Sequence, residues 1–490
     1  MLQKIQDLLA ELNQNVRYCH WKSNFSLTQA LAGNTDVDLL VHRGDADAFR
    51  TILENLCFRP AVANDVAAFP SVEHYFALDE ETGNLVHVHS YYRVITGESL
   101  VKNYRLPIED MLLKDNWEVE SLRLPSKSAE LVVFTLRMML KHTSAVELIM
   151  LSRDWKNVKQ EVRWLLDGGS IDQATQLVET WLPAVDPGLF RECFDAITKP
   201  ESWVSRILLG LKLRAQLKPY ARHSVFAAWL DGIRTFLTMA FRRVFRSQRG
   251  MLPQSGGAVI AIVGPEATGK STLLAEMNKW LGEHFAVQQI HAGKPKSTLF
   301  TFLPNLLVPS LRMFLPGFRA SRLETKHANE DQKDDKPKVY PIISAVRSVL
   351  LAYDRRALLN RAFARASNGG IVLSDRYPSL SPGSPDGPQL SQFPISKDKY
   401  PIQYRLSAIE KKIYEEIPAP DLVVLLTVPV EVAVMRNKNR GKEEPEDFVR
   451  LRHAQSSNLV FDKTSVFRIN TDQPLDKTIR EVKKAIWESL

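Results

Sequence analysis

Residues 258–274 read AVIAIVGPEATGKSTLL, and no other stretch limits the fold as strongly. An unbroken apolar run reads as a strand buried on both faces, and STLLAEMNKWL after it has helical spacing. Between them, Gly264 to Ser271 match GxxxxGK[ST] in the context a phosphate-binding loop needs. Gly264 and Gly269 let the backbone turn its N–H groups inward onto phosphate oxygens, and the helix beginning near Lys270 adds the positive end of its dipole. Lys270 can bridge β- and γ-phosphates and the Ser271 hydroxyl can ligate Mg2+. The expected nucleotide-binding residues are Gly264, Pro265, Glu266, Ala267, Thr268, Gly269, Lys270, Ser271 and Thr272.

The pattern around this loop continues it. Strand-like VQQIHA, a helix over about 341–366, GIVLSD, a helix ending near Glu416, DLVVLLTV, the helix that Glu431 opens, VFRIN and a final helix through Ile486 follow in turn. Strands separated by helices predict a parallel sheet covered on both faces. Asp375 in GGIVLSDRYP then falls at the carboxyl end of a strand, where ligand-facing residues emerge. It can hold Mg2+ directly or through water, and Arg376 can grip a second anion. The basic stretch RNKNRGK, with Arg436, Lys438, Arg440 and Lys442, can close over a transferring phosphoryl group; the alternative is a solvated helix end.

From about 258 to 490 the chain resembles the thymidylate kinases and related nucleoside-monophosphate kinases, on GPEATGKST, SVLLAYDRRALLNRA, GGIVLSDRYP and PAPDLVVLLTVPVEVAVMRNKNRGKEEPEDF in the family's order. The resemblance implies an ATP-dependent phosphotransferase with ATP and Mg2+ as cofactors. It implies that Glu266 lies near the acceptor's sugar hydroxyl, that Asp375 positions metal or acceptor and that Arg376 contacts the acceptor phosphate. It further implies that Arg355 faces the acceptor base and that RNKNRGK is the arginine-bearing lid, with Lys270, Asp375, Arg376, Arg436 and Arg440 serving catalysis.

The acceptor motifs depart from that family. PSLSPGSPDGPQL replaces the usual Ser-x-x-Ala-Tyr-Gln segment, Leu351 takes the place of the base-stacking aromatic, and Gly293-Lys294-Pro295 is the nearest match to its Arg-Glu-Pro. Residues 298–340 have no clear counterpart, and 322–338 read as a charge-dense solvated loop. The expected acceptor is therefore a nucleotide or a related small sugar phosphate, with dTMP one candidate.

Ahead of this half the texture changes twice. Residues 1–125 mix short helical and strand-like pieces and read as a small α+β domain; 126–250 are helical in pattern; 251–490 form the kinase-like domain. In GNTDVDLLV, Asp36 and Asp38 alternate along a strand, so both carboxylates point to one face and could share a divalent metal. With Gly33 they weakly resemble the core of the nucleotidyltransferase superfamily, although the plausible neighbouring strand, NLVHVHSYY, offers His87 and His89 where a third acid would stand. His20 and Trp21 read as a structural pair.

Charge narrows the partners. The chain's formal charge is +8, yet between 204 and 249 ten basic residues face one acid, Asp231. That segment, with Trp229, Phe236, Phe241 and Phe245, suits peripheral contact with an anionic membrane through 229–249, or a helix packed on its own protein with solvated arginines. Nucleic acid is disfavoured, because the basic residues lack interleaved base-stacking aromatics. A homodimer is a further expectation. Three scattered cysteines, no secretory pattern and no apolar span point to the cytoplasm, peripheral at the membrane if the basic segment binds one. Two other functions compete with a kinase: nucleotidyl transfer at Asp36 and Asp38, and a nucleotide-gated interaction protein at the membrane.

Overall fold

The computed structural model describes all residues except 64–68, 70, 99, 142–156, 199–202, 245–249, 294, 299–300, 303–341, 382–383, 393–394, 440–444 and 458. Arg440, Lys442, Lys294 and nearly all of the 298–340 insertion therefore lie outside the described residues. The chain forms two compact units, Met1–Gln254 and Ser255–Leu490.

The first unit contains strands β1 (Tyr18–His20), β2 (Val37–Val41), β3 (Arg59–Val62), β4 (Val72–Leu78), β5 (Leu85–Tyr91) and the short hairpins of β6 (Val94–Thr96) with β7 (Tyr104–Leu106) and β8 (Trp117–Val119) with β9 (Leu122–Leu124). With β10 (Leu252–Pro253), a six-stranded sheet runs in the order β1-β2-β5-β4-β3-β10. Of its pairings, β2 with β5 is parallel and the others are antiparallel.

The two-residue period of a strand decides what each face buries. Val37, Leu39 and Val41 of β2, with Val86 and Val88 of β5, pack on Ile5, Leu8, Leu9 and Leu12 of the helix Gln3–Asn15 and on Phe49 and Leu53 of the helix Ala46–Asn55. On the opposite face Leu40 and Tyr91 join a cluster reaching through Phe134, Phe190 and Leu217. The 125/126 boundary thus lies inside one continuous hydrophobic core. The helix Lys127–Lys141 sits at its centre and is buried nearly all round, as a helix covered by both sheet and helices must be. Further helices are Ile171–Trp181, Pro187–Thr198, Trp203–Gln216 and Val225–Val244; Ser170 caps the first by accepting from the N–H groups of Asp172 and Gln173.

The second unit is built on five parallel strands, β11 (Val259–Val263), β12 (Val287–His291), β13 (Ile371–Asp375), β14 (Leu422–Thr427) and β15 (Ser465–Asn470), in the order β12-β13-β11-β14-β15. The three central strands are buried almost throughout, and the edge strands β12 and β15 are mostly exposed or half-buried. The long helix expected at 341–366 spans Ile342–Ser367, and helices Lys270–Gly282, Pro401–Glu415, Val430–Lys438, Glu446–Ser457 and Leu475–Ser489 complete the unit. From β11 the chain passes to the edge strand β12, returns to β13 beside β11, and then crosses to β14 and β15 on the other side. The crevice at the carboxyl end of β11 is therefore the topological switch point, where ligands bind in open parallel sheets. Among the described residues no helix is long and apolar enough to cross a membrane.

Candidate phosphate-loop site

The loop after β11 is shaped by backbone angles that few residues accept. Gly264 has φ +154°, and a Cβ there would sit 2.6 Å from the Leu426 carbonyl oxygen, so both the angle and the space require glycine. Gly269 has φ +86° with open space around it and caps the helix Lys270–Gly282; here the angle alone selects glycine. Ala267 (φ +61°) and Arg376 (φ +69°) hold left-handed angles without being glycine, a strain of about 1–3 kcal/mol each of the kind that collects at functional sites.

Lys270 Nζ donates to the carbonyls of Gly264 at 2.9 Å and Pro265 at 2.6 Å, so its ammonium is already folded over the loop. Thr268 Oγ1 donates to Pro265 O at 2.9 Å and braces the turn. Ser271 and Thr272 are exposed in the first turn of the helix. Arg436, on the helix Val430–Lys438, donates to the Thr471 carbonyl at 2.8 Å and approaches the Ala267 carbonyl at 3.5 Å, which places it against the outside of the loop.

β11 and β13 are in register with Ile262 beside Asp375, so Asp375 and Arg376 emerge next to the loop. Asp375 Oδ2 lies 2.6 Å from Nδ1 of His291, its register partner at the end of β12. Beside them is a cavity of 220 Å³ walled by Gly264, Pro265 and Glu266 of the loop and by Gly293, Arg355, Arg376, Asp386, Arg452 and Leu459.

Its charges are interlocked. Asp386 Oδ1 accepts from Arg355 Nη2 at 3.0 Å, and its Oδ2 lies 3.5 Å from Arg376 Nη1. Glu266 Oε1 accepts from Arg376 at 3.3 Å and Arg452 at 2.8 Å. Burial pushes the Glu266 carboxyl upward, but Lys270, Arg376 and Arg452 more than offset this and hold it below the usual range. Arg355 is 3% exposed and donates also to the carbonyls of Ala292, Gly293 and Asp386 and to the Tyr414 hydroxyl. Arg355 is thus a fixed wall residue, while Arg376 and Arg452 are about a third exposed. Gly293 makes room for Arg376, whose Cδ would lie 2.8 Å from a Cβ at that position. Three arginines against two carboxylates leave the cavity positive, suited to a small anion.

Hard oxygen donors suit Mg2+; the Ser271 hydroxyl and the Asp375 carboxylate are of that kind. His291, Asp386 and Arg452 escaped the sequence reading. His291 carries the weak signal of ending a strand-like segment, as Asp375 does; Asp386 sits in a Ser/Pro/Gly-rich stretch and Arg452 on a charged helix, where neither stands out.

In the first unit, the alternation of β2 and β5 puts Asp36, Asp38, His87 and His89 on one sheet face, with Asp38 in register with His89 and His89 with His74. Asp36 Oδ1 lies 2.6 Å from His87 Nδ1, and Asp38 Oδ1 lies 3.0 Å from Lys22 Nζ and 3.2 Å from His89 Nδ1. Burial works against the Asp38 carboxylate, but Lys22 and His89 overcome it and hold its pKa well below the ordinary value. His74 stacks on His89 with ring centroids 4.3 Å apart, and burial, then its histidine neighbours, push it down to about 3. Both acids are thus already paired with imidazole or ammonium groups, and among the described residues no group of three or more His, Cys, Asp or Glu is arranged to hold a metal. His20 and Trp21 do not pair with each other: His20 Nδ1 is bonded to Asn24 and Trp21 meets the Tyr91 ring edge-on at 5.0 Å, while His20 Nε2 and Trp21 Nε1 are buried without a hydrogen-bond partner among the described residues.

A parallel five-stranded sheet, with a glycine-bent loop joining its central strand to a helix, makes the second unit a phosphate-loop α/β fold. Among known proteins, the chain is similar to two from Escherichia coli strain K12. The first is named "Uncharacterized ATP-binding protein YghR", 24% identical over 233 residues, which cover 46% of this chain and 86% of that protein. The second is named "Uncharacterized ATP-binding protein YghS", 24% identical over 236 residues, 47% of this chain and 93% of that protein. No family model matches the chain.

Proposed function

We propose that the unit Ser255–Leu490 binds ATP on the loop 264–272 and transfers its γ-phosphoryl group to a small phosphorylated acceptor, a nucleotide or a sugar phosphate, held in the adjoining cavity. One observation carries this reading: Gly264, Pro265 and Glu266 belong to the phosphate loop and also form a wall of the arginine-lined cavity. Donor and acceptor anions would meet across that shared wall. The names of the two relatives, both described as ATP-binding proteins, support the ATP half of the proposal.

In the proposed reaction an acceptor oxygen attacks the γ-phosphorus as the bond to the β,γ-bridging oxygen breaks, giving phosphorylated acceptor and ADP. Lys270 exchanges the carbonyls of Gly264 and Pro265 for β- and γ-phosphate oxygens. Arg376 and Arg452 fix the acceptor's anionic group, while Glu266 remains near the loop to accept from its hydroxyls. Ser271 and Asp375 would hold Mg2+, which supplies charge neutralisation on the phosphates when bound. Most of the acceleration then comes from positioning and from charge already arranged in the site. The rebuilt acceptor segment, with Asp386 in place of the thymidylate-kinase pattern, favours an acceptor other than dTMP.

The test is an ADP-release screen over nucleoside monophosphates and sugar phosphates with wild type and Lys270→Ala. ADP release that depends on acceptor and on Lys270 supports the proposal. Pyrophosphate release that is lost in Asp36→Ala/Asp38→Ala, with no ADP, would replace it by nucleotidyl transfer in the first unit.

A further inference from the structure

The helix Val225–Val244 turns the wrong side toward its own protein. At 100° per residue its large apolar side chains Phe226, Trp229, Leu230, Ile233, Phe236 and Leu237 share one side of the helix, part of an apolar arc of roughly 200°. All six are exposed, Phe226 by 68%, Trp229 by 59% and Phe236 by 61%. The half-buried side is built instead from Ala227, Ala228, Asp231, Gly232, Thr235 and Thr238, and a Cβ on Gly232 would lie 3.5 Å from Val101 Cγ2. A soluble surface helix does the reverse, burying its bulky stripe and exposing its small and polar one.

We propose that this helix lies in the surface of an anionic lipid bilayer and seats the protein there. Charge selects that occupant. The helix itself carries Arg234, Arg242 and Arg243 against a single acid, Asp231, on its half-buried side, so pairing it with a second copy would bring like charges together, whereas an anionic headgroup layer is complementary. Arg234 is exposed beside the apolar arc, and Arg242 and Arg243 follow within the helix. Aromatic and aliphatic side chains flanked by arginines are what an interfacial helix needs, with the rings at headgroup depth and the cations at the phosphates. The helix is not apolar enough to cross a bilayer, so its contact with one is interfacial and not spanning. This inference is independent of the reaction proposed for the second unit.

Flotation of the full chain with vesicles of phosphatidylcholine alone, or of phosphatidylcholine with phosphatidylglycerol, tests it. The protein should float with the anionic vesicles, and rising salt should release it. Trp229→Glu/Phe236→Glu should reduce the bound fraction by roughly tenfold or more, because it removes apolar contact and adds repulsion. Arg234→Gln/Arg242→Gln/Arg243→Gln should flatten the salt dependence. The glutamate variant changes exposed side chains only, so an unchanged thermal unfolding midpoint verifies its fold. Failure of the full chain to bind anionic vesicles overturns the proposal, as does equal binding by the glutamate variant. A dimer by light scattering that this variant dissociates, without vesicle binding, would assign the apolar face to a second copy instead.

Discussion

His291 Nδ1 lies 2.6 Å from Asp375 Oδ2, joining the carboxyl ends of two adjacent parallel strands beside the phosphate loop. The imidazole fixes the direction of a carboxylate that would otherwise rotate freely at a strand end. Partners of this kind typically matter by ten- to a hundredfold. Asp375→Asn should lower the rate of ADP release by about a hundredfold or more, and His291→Ala by roughly ten- to a hundredfold. A titration of Mg2+ against rate separates the two roles. Loss of the carboxylate should raise the Mg2+ requirement strongly, and loss of the histidine should raise it less.

Lys270→Ala should abolish turnover, lowering it by about a thousandfold or more, while leaving the fold intact. The ammonium rests on two carbonyls of a partly exposed loop, Gly264 and Pro265, and is not part of the apolar core. Unfolding curves that superimpose on wild type, beside an ADP assay at background, are the expected pair of results. Full activity in a folded Lys270→Ala protein would remove the basis of the kinase reading.

Asp386→Ala should destabilise the second unit by about 3 kcal/mol, because it strips a buried guanidinium of its ion-pair partner. Arg355 cannot turn to solvent: its other donors are tied to Ala292, Gly293 and Tyr414. Asp386→Asn should cost clearly less, since the amide oxygen can still accept from Arg355. Hydrogen exchange in β13 and β14 reads the difference, and equal loss in both variants would show that the charge, not the hydrogen bond, is what Arg355 requires.

What the sequence revealed and what it hid follow from range. The strand, loop and helix of 258–282 were legible because strand apolarity, glycine spacing and helix onset are local, and Asp375 because a strand's end is visible in its own residues. The pairs that shape the cavity are not local: Glu266 reaches Arg452 across 186 residues, and His291 reaches Asp375 across 84. Parallel register and loop packing bring them together, and one sequence carries no mark of either. The shared core of the first unit was hidden for another reason. A change from strand to helix texture near residue 125 reads as a boundary, yet a sheet with one face still uncovered needs the helices that follow, and Leu40 and Tyr91 bury theirs against them.

Glu130 gives the first unit a stability that declines with pH. It sits on the central helix, 1% exposed, and accepts from the Asn24 backbone N–H at 3.2 Å and from Asn24 Nδ2 at 2.8 Å. Burial pushes its carboxyl up to about 8, with Glu161 adding to the shift, although the Asn24 donors oppose it. The folded state therefore keeps a proton that the unfolded chain, with an ordinary glutamate, gives up near pH 4.5. Between those two values Glu130 holds more proton in the native state than in the unfolded one, so its own contribution to stability falls as pH rises. The loss begins near the ordinary glutamate value and is nearly complete by about pH 8, where it is on the order of 4 kcal/mol. Glu130→Gln keeps a neutral side chain and an acceptor oxygen for Asn24 without the titration. Glutamine offers one oxygen to the two Asn24 donors that use both carboxyl oxygens, so the variant's unfolding midpoint should lie at or below wild type near pH 5 and fall less on going to pH 8. Parallel midpoint curves for the two proteins across that range would show that Glu130 is ionised in the folded chain and that Asn24 alone satisfies it.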